Sequence, residues 1–130
     1  DSGLEIDCLN QLPGIYSARW GGIKSNFNLA IKKVYRELKK TNIDWYKKKQ
    51  TARFVCALTI YWPNNKFISV IGKVEGTISR FKKGNNGFGY DPIFKPDGYT
   101  ESFAELPIET KNKISHRAIA MSKLIYFLTK

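Results

Sequence analysis

Two long β-rich segments joined by a short turn restrict the possible folds of this chain more than any other feature. Residues 52–62 are β-branched or aromatic on both alternating faces, which predicts a largely buried strand. Residues 63–66, Pro-Asn-Asn-Lys, predict a turn, and residues 67–79 predict a long returning strand. We expect Gly72 to mark a bulge or a bend within it. The sequence therefore predicts a β-hairpin.

Several aromatic side chains lie in or near this predicted hairpin. These side chains could form an edge on which a second subunit docks, or they could pack in the core of the domain. The sequence does not choose between them. The residues are Trp45, Tyr46, Tyr61, Trp62 and Phe67.

Two amphipathic segments predict helices. Ser25 or Asn26 can cap a helix that runs to about Lys40, with apolar residues at the 3.6-residue period and basic residues on the opposite face. Ser115 is a good N-cap for a last helix. That helix is expected to bury Ala118, Met121, Leu124, Ile125 and Leu128. Without repeats, linkers or low-complexity tracts, residues 1–130 are predicted to form one α/β domain.

The charge of the chain raises a nucleic-acid hypothesis. Its formal net charge is +11, from 22 basic and 11 acidic residues. Only 5 of the basic residues are arginine, the residue that base readers and phosphate clamps favour, so nucleic-acid binding is the weaker alternative. No apolar run approaches the length of a membrane span. Cys8 and Cys56 fit no metal or disulfide spacing, which favours reduced thiols and a cytoplasmic location.

A glycine-rich aromatic segment carries the strongest functional signal. Residues 87–94 are Gly-Phe-Gly-Tyr-Asp-Pro-Ile-Phe, and Ser115-His116-Arg117 forms a second polar cluster. Gly87 and Gly89 allow positive φ and a close approach of the backbone to a ligand. Together the two segments supply aromatic faces, a carboxylate, an imidazole and a guanidinium, which is a set that one purine ring can engage.

Four separated motifs resemble one known family in order and spacing. They are residues 1–4, residues 13–19, residues 87–94, and residues 111–117 with Lys111-Asn112 and Ser115-His116-Arg117. The chain resembles the inosine/xanthosine triphosphate pyrophosphatase (Ham1-like) family over essentially its whole length. The resemblance implies an α/β fold with a long twisted mixed β-sheet flanked by helices, two lobes around a nucleotide cleft, and a homodimer.

The chain departs from the family at its first residue. The family signature is Asp-Asp-Ser-Gly-Leu, of which Asp1 corresponds to the second aspartate. The family's N-terminal strand, its Thr-Gly-Asn…Lys phosphate loop and an upstream metal-binding glutamate have no counterpart here. We therefore expect a C-terminal portion of such an enzyme, with little activity by itself. A catalytically inactive remnant or partner subunit is the alternative.

The resemblance also implies roles for individual residues. Asp1 would bind Mg²⁺ and activate the attacking water, Ser2 would donate to the phosphates, and Lys111 would contact the substrate. The implied reaction converts aberrant purine nucleoside triphosphates (ITP, dITP or XTP) to the monophosphate and pyrophosphate. Without the resemblance, Asp1 and Ser2 would be interpreted as solvated terminal residues.

The predicted base pocket discriminates purines by hydrogen bonding. His116 and Arg117 would donate to the 6-oxo edge, while adenine, with its 6-amino donor, would leave them unpaired. Phe88 would stack on the ring, and Asp91 would orient the cationic groups or accept from a ring N–H. Gly89 and Tyr90 complete the predicted substrate-binding set. The alternative for His116 is a helix-capping or surface residue.

Overall fold

The computed structural model describes residues 1–130 as one antiparallel sheet with three helices. The strands are β1 (Ser2–Ile6), β2 (Leu12–Pro13), β3 (Thr51–Tyr61), β4 (Phe67–Ile78) and β5 (Phe94–Pro96). The helices are α1 (Phe27–Thr41), α2 (Ile108–Ile114) and α3 (His116–Thr129). The strand order across the sheet is β2-β1-β3-β4-β5.

The expectation of a mixed sheet is wrong for this chain, although the α/β class is confirmed. Every neighbouring pair of strands is antiparallel. The crossover through α1 does join two strands that run in the same direction, β2 and β3. Because β1 lies between them, this crossover creates no parallel neighbours. A second lobe around a nucleotide cleft stays a prediction.

The predicted hairpin is confirmed. Strands β3 and β4 pair without interruption from Thr51 opposite Thr77 to Tyr61 opposite Phe67. Of the bulge or bend predicted at Gly72, the bulge is wrong, because Gly72 pairs directly with Cys56 in that unbroken register, and the bend stays a prediction.

The prediction that residues 52–62 form a largely buried strand holds only for the first half of β3. Ala52, Phe54 and Cys56 are buried, whereas the residues beyond them are exposed or half-buried. The reason is that β1 pairs only with residues 52–56, so the outer half of β3 has no strand beside it on that edge.

The aromatic residues near the hairpin divide between the two interpretations. Trp45 is buried and stacks on Tyr35 of α1, with ring centroids 5.7 Å apart, so it belongs to the core. Tyr61 and Phe67 are 73% and 60% exposed at the tip of the hairpin. Docking of a second subunit there stays a prediction.

Helix α1 forms as the sequence predicts. The side chain of Asn26 caps it by accepting from the amides of Asn28 and Leu29. Its apolar face covers the sheet through Ala30, Ile31, Val34 and Leu38, which belong to a core cluster of 16 residues. The basic residues lie on the other side, as amphipathic periodicity requires.

Helix α3 begins as predicted but buries a different face. The Ser115 hydroxyl oxygen accepts from the Ala118 amide at 3.1 Å. Of the five residues expected inside, only Leu124 is buried, while Met121, Ile125 and Leu128 are about half exposed and Ala118 is partly buried. Apolar residues occur on every side of this helix, so periodicity could not identify its inner face. Ala120 and Leu124 pack on Cys56 and Val70 of the sheet instead.

No helix of the structure combines the length and the apolar character that crossing a bilayer requires. Cys8 is exposed and Cys56 is buried, and neither is in a disulfide.

Candidate functional site

A cavity of about 530 Å³ collects most of the predicted site residues. It lies where β1, the loop before β5, and the N-terminal turn of α3 meet. Ser2, Phe88, Gly89, Tyr90, Asp91, Lys111, His116 and Arg117 all line it. These residues come from four separate stretches of the sequence, and the fold places them around one space.

The glycine loop turns sharply to present Phe88. Gly87 and Gly89 have φ values of +72° and +67°, which a residue with a side chain rarely adopts. The Phe88 ring between them is 57% exposed. Lys111 Nζ and Arg117 Cζ each lie 4.7 Å from its ring centroid, so two cations flank this aromatic face.

The buried carboxylate of Asp91 holds the glycine loop in its turn. It is 3% exposed, and one carboxylate oxygen, Oδ2, accepts from the Phe88 amide at 3.0 Å and from Lys111 Nζ in an ion pair. A Cβ at Gly87 would lie 2.2 Å from the same oxygen, so the aspartate occupies the space that Gly87 leaves. Of the two roles expected for Asp91, this geometry supports the orientation of a cation.

Ser2, His116 and Arg117 form a second polar group on the cavity wall. The Ser2 hydroxyl lies 3.0 Å from His116 Nε2 and accepts from Arg117 Nε at 3.4 Å. The imidazole stacks on the Phe54 ring at 4.9 Å, with 18° between the planes. His116 is therefore neither a capping residue nor a surface residue, because Ser115 provides the cap and the ring is held between β1 and β3.

Burial and nearby cations keep His116 neutral. Desolvation, together with the charges of Arg117 and Lys111, lowers the pKa of its imidazole to about 4. Nδ1 is buried and has no hydrogen-bond partner. Such an atom is costly to leave unpaired, so a bound ligand or water that satisfies it would gain free energy.

Tyr90 is held mainly as a structural wall. It is 3% exposed, its ring meets Phe27 edge-on at 5.4 Å, and its hydroxyl donates to the Ser17 carbonyl at 2.5 Å. Ser17 in turn accepts from the Leu4 amide at 2.9 Å and so joins the loop to β1. A substrate-binding role for Tyr90 stays a prediction.

Asp1 lies outside this cavity. It is exposed and borders a separate, small depression with Glu5, Gly14 and Ala57. No group of three or more histidine, cysteine or acidic side chains is arranged so that it could hold a metal ion. Magnesium is commonly held by one or two carboxylates together with substrate phosphates and water. The metal-binding role expected for Asp1 therefore stays a prediction.

Several cavity residues were not predicted from the sequence. Phe27 comes from α1, Phe54 from β3 and Met121 from α3, and Asn112 adjoins the predicted lysine. Asn112 belongs to a motif and could have been included. The three apolar residues carry no sequence signal that separates a cavity wall from the core, because both need large apolar side chains.

Comparisons with known proteins agree on one family. The model of the Ham1 family matches residues 1–127. The chain is 45% identical over 125 residues to a dITP/XTP pyrophosphatase of Rhodospirillum centenum, covering 96% of this chain and 60% of that protein. It is 47% identical over 124 residues to a dITP/XTP pyrophosphatase of Bacillus subtilis, covering 95% and 61%. The chain thus spans about three fifths of the length of these relatives.

Solved structures give the same result. The Ham1 protein of Staphylococcus aureus superposes with a TM-score of 0.89 at 40% identity, covering 99% of this chain and 64% of that one. A HAM1 protein of Coxiella burnetii gives a TM-score of 0.89 at 37% identity, with the same coverage.

Proposed function

The chain belongs to the Ham1 family, and on that premise we propose that it forms the purine-recognising part of a dITP/XTP-type nucleoside triphosphate pyrophosphatase. The complete reaction would convert an aberrant purine nucleoside triphosphate (dITP, ITP or XTP) to its monophosphate and pyrophosphate. A cytoplasmic location and a homodimer accompany this proposal as further expectations of the family resemblance.

One observation carries the proposal. The cavity brings an exposed aromatic face, two cations and a buried imidazole together from segments that are far apart in sequence. A planar, hydrogen-bonding ring is the kind of ligand that such a set fits. The volume of the cavity, about 530 Å³, lies within the range usual for small-molecule sites.

The chemistry of the cavity favours a 6-oxopurine. Phe88 would stack on the ring, and Arg117 would donate to the oxo oxygen, which develops negative charge readily. A neutral His116 with an unpaired Nδ1 can take part as either a donor or an acceptor, according to its tautomer. Adenine presents an amino donor at the same position, so it would leave the arginine donor unpaired.

The phosphate end would involve Lys111, Ser2 and Asp1. Lys111 would supply positive charge, and Ser2 a hydroxyl donor. Asp1 would contribute one carboxylate to a magnesium ion, while substrate phosphates and further groups completed its ligands. When bound, the metal would neutralise phosphate charge and lower the pKa of a water.

One observation favours a second function, which is nucleotide binding without hydrolysis. No cluster of acidic side chains lies at the cavity, and Asp1 borders a different depression. A chain of this kind could bind a purine nucleotide without hydrolysing it, as an inactive remnant or a partner subunit would.

Binding of nucleoside monophosphates separates recognition from hydrolysis. We expect calorimetric titration of this chain to show tighter binding of inosine 5′-monophosphate than of adenosine 5′-monophosphate. Arg117→Ala should remove most of that preference, and Arg36→Ala, a change to an exposed arginine on α1, should not. Equal affinity for the two nucleotides in the unchanged protein would refute the proposed specificity.

Hydrolysis is measured separately, as pyrophosphate released from dITP with Mg²⁺. Binding without release would favour the inactive alternative. Release that depends on Asp1, abolished in Asp1→Asn, would favour the enzyme.

A further inference from the structure

Gly72 lies directly beneath the first turns of α3. It is buried in β4, opposite Cys56. A Cβ built on it would lie 2.2 Å from the carbonyl oxygen of His116 and 2.4 Å from the amide nitrogen of Ala120. Both are backbone atoms, so no side-chain rotation could relieve the contact. The helix itself would have to move.

The backbone conformation of Gly72 does not require glycine. Its φ is not among the positive values found at other glycines of this chain, such as Gly87 and Gly89. Glycine within a strand weakens the strand, because it costs conformational entropy and packs no side chain. The close approach of α3 is therefore the physical reason for a missing side chain at this position.

The height of α3 above the sheet determines where two cavity residues lie. His116 and Arg117 form its first turn, and the His116 ring reaches β1 through its 3.0 Å contact with Ser2. With a Cβ at position 72, α3 would have to move about 1 Å away from the sheet before the His116 carbonyl oxygen reached an ordinary contact distance of 3.4 Å. A hydrogen bond of 3.0 Å that lengthens by that amount is lost.

We propose that Gly72 is a positioning residue for the purine site, because its missing side chain lets α3 dock at the height that brings His116 and Arg117 to the cavity. Gly72 does not line the cavity itself and acts only through the helix backbone. The identity of the ligand, a 6-oxopurine nucleotide, rests on the proposed function. The positioning of His116 does not.

Gly76 provides a matched control in the same strand. It is also buried in β4, and a Cβ there would lie 2.3 Å from the Lys95 carbonyl oxygen. That contact, and another at 2.6 Å from the Phe94 ring, are with β5 and involve no atom of α3. Gly72→Ala and Gly76→Ala therefore impose similar crowding, but only the first acts on the helix that carries the cavity residues.

Two measurements distinguish positioning from a general loss of stability. The first is the affinity for inosine 5′-monophosphate. The second is an NMR titration of the imidazole, which is unambiguous because His116 is the only histidine. The charged groups nearest to this ring are Arg117 and Lys111, and both are retained in both variants.

We expect both alanine variants to lower the melting temperature. Gly72→Ala should also weaken nucleotide binding about tenfold or more, as loss of one charge-assisted hydrogen bond would. Its His116 pKa should rise toward 6.5 as the ring becomes solvated. Gly76→Ala should leave the affinity within about twofold and the titration unchanged.

The proposal fails if folded Gly72→Ala shows the affinity and the histidine titration of the unchanged protein. If Gly72→Ala does not fold, Ala120→Ser adds a single atom at the same helix–sheet contact and should shift both measurements in the same direction. If the unchanged protein binds no purine nucleotide, the proposed function fails, while the histidine titration still decides the role of Gly72.

Discussion

The hydroxyl oxygen of Ser2 lies 3.0 Å from Nε2 of His116 and joins the first strand to the last helix across 114 positions of sequence. Arg117 Nε also donates to the same oxygen. The three residues together form one wall of the cavity. Strand β1 and the first turn of α3 therefore meet at the candidate site.

Ser2→Ala should weaken nucleotide binding and lower stability together. The change would leave both ring nitrogens of His116 without a protein partner, which typically costs about 1–2 kcal/mol of the free energy of unfolding. Urea unfolding measures this loss. Ser69→Ala, which removes an exposed hydroxyl that contacts Thr59, is the matched control and should cost much less.

Stability should fall as the pH falls from about 7 to 5. The folded-state pKa of His116 is about 4, below its unfolded value of 6.5, so the unfolded chain binds more protons in this interval. The expected loss of unfolding free energy from pH 7 to pH 5 is about 2 kcal/mol. Urea titrations at several pH values measure it.

His116→Gln should flatten this dependence over the same interval, because glutamine does not titrate. An equally steep fall in that variant would assign the effect to other groups.

Asp91→Asn should weaken nucleotide binding by releasing Lys111. The amide can still accept from the Phe88 N–H, so the loop should keep its turn, but the ion pair to the lysine is lost. We expect a drop in affinity of about tenfold, measured by calorimetry with inosine 5′-monophosphate. Asp97→Asn, at an exposed turn, should leave the affinity unchanged.

Phe88→Ala should weaken binding of every purine nucleotide by a similar factor. Stacking depends on ring area and is indifferent to the group at the 6 position, and it contributes about 1–3 kcal/mol per base. Phe81→Ala removes an equally exposed ring outside the cavity and is the control. A change in the preference between inosine and adenosine nucleotides, without a common loss, would contradict a stacking role.

Arg53→Ala should destabilise the fold without altering the cavity. Its guanidinium, 18% exposed on β3, bonds to Asp7 at 2.9 Å and to Glu75 at 3.0 Å. We expect a loss of about 2 kcal/mol in the free energy of unfolding. Lys40→Ala, which removes an exposed ion pair with Glu37, should cost less than about 0.5 kcal/mol.

The same arginine makes part of the stability sensitive to strong acid. Its hydrogen bonds hold the pKa of Asp7 down at about 2, below its ordinary 3.8. The stabilisation is therefore present above about pH 4 and is lost as the pH falls toward 2. Arg53→Ala should reduce this acid-dependent loss, which unfolding measurements between pH 4 and pH 2 would show.

Local sequence by itself determined the four longest elements. Alternation and turn residues define the hairpin of β3 and β4, and Asn26 and Ser115 begin α1 and α3 because their side chains accept from the first free amides. The four motifs also contain every polar residue that lines the cavity, although Asn112 was not among the predicted site residues. These signals act over a few residues, so a linear pattern contains them.

Tertiary structure alone decided which faces meet. Apolar residues occur on every side of helix α3, so its docking on the sheet, and not its periodicity, determines that Ala120 and Leu124 face the sheet. The same docking explains why Gly72 is a point of close approach and not a bulge, and why Phe54 supports the imidazole. Contacts between residues more than fifty positions apart depend on the complete packing of helix and sheet, and no local period or propensity specifies them.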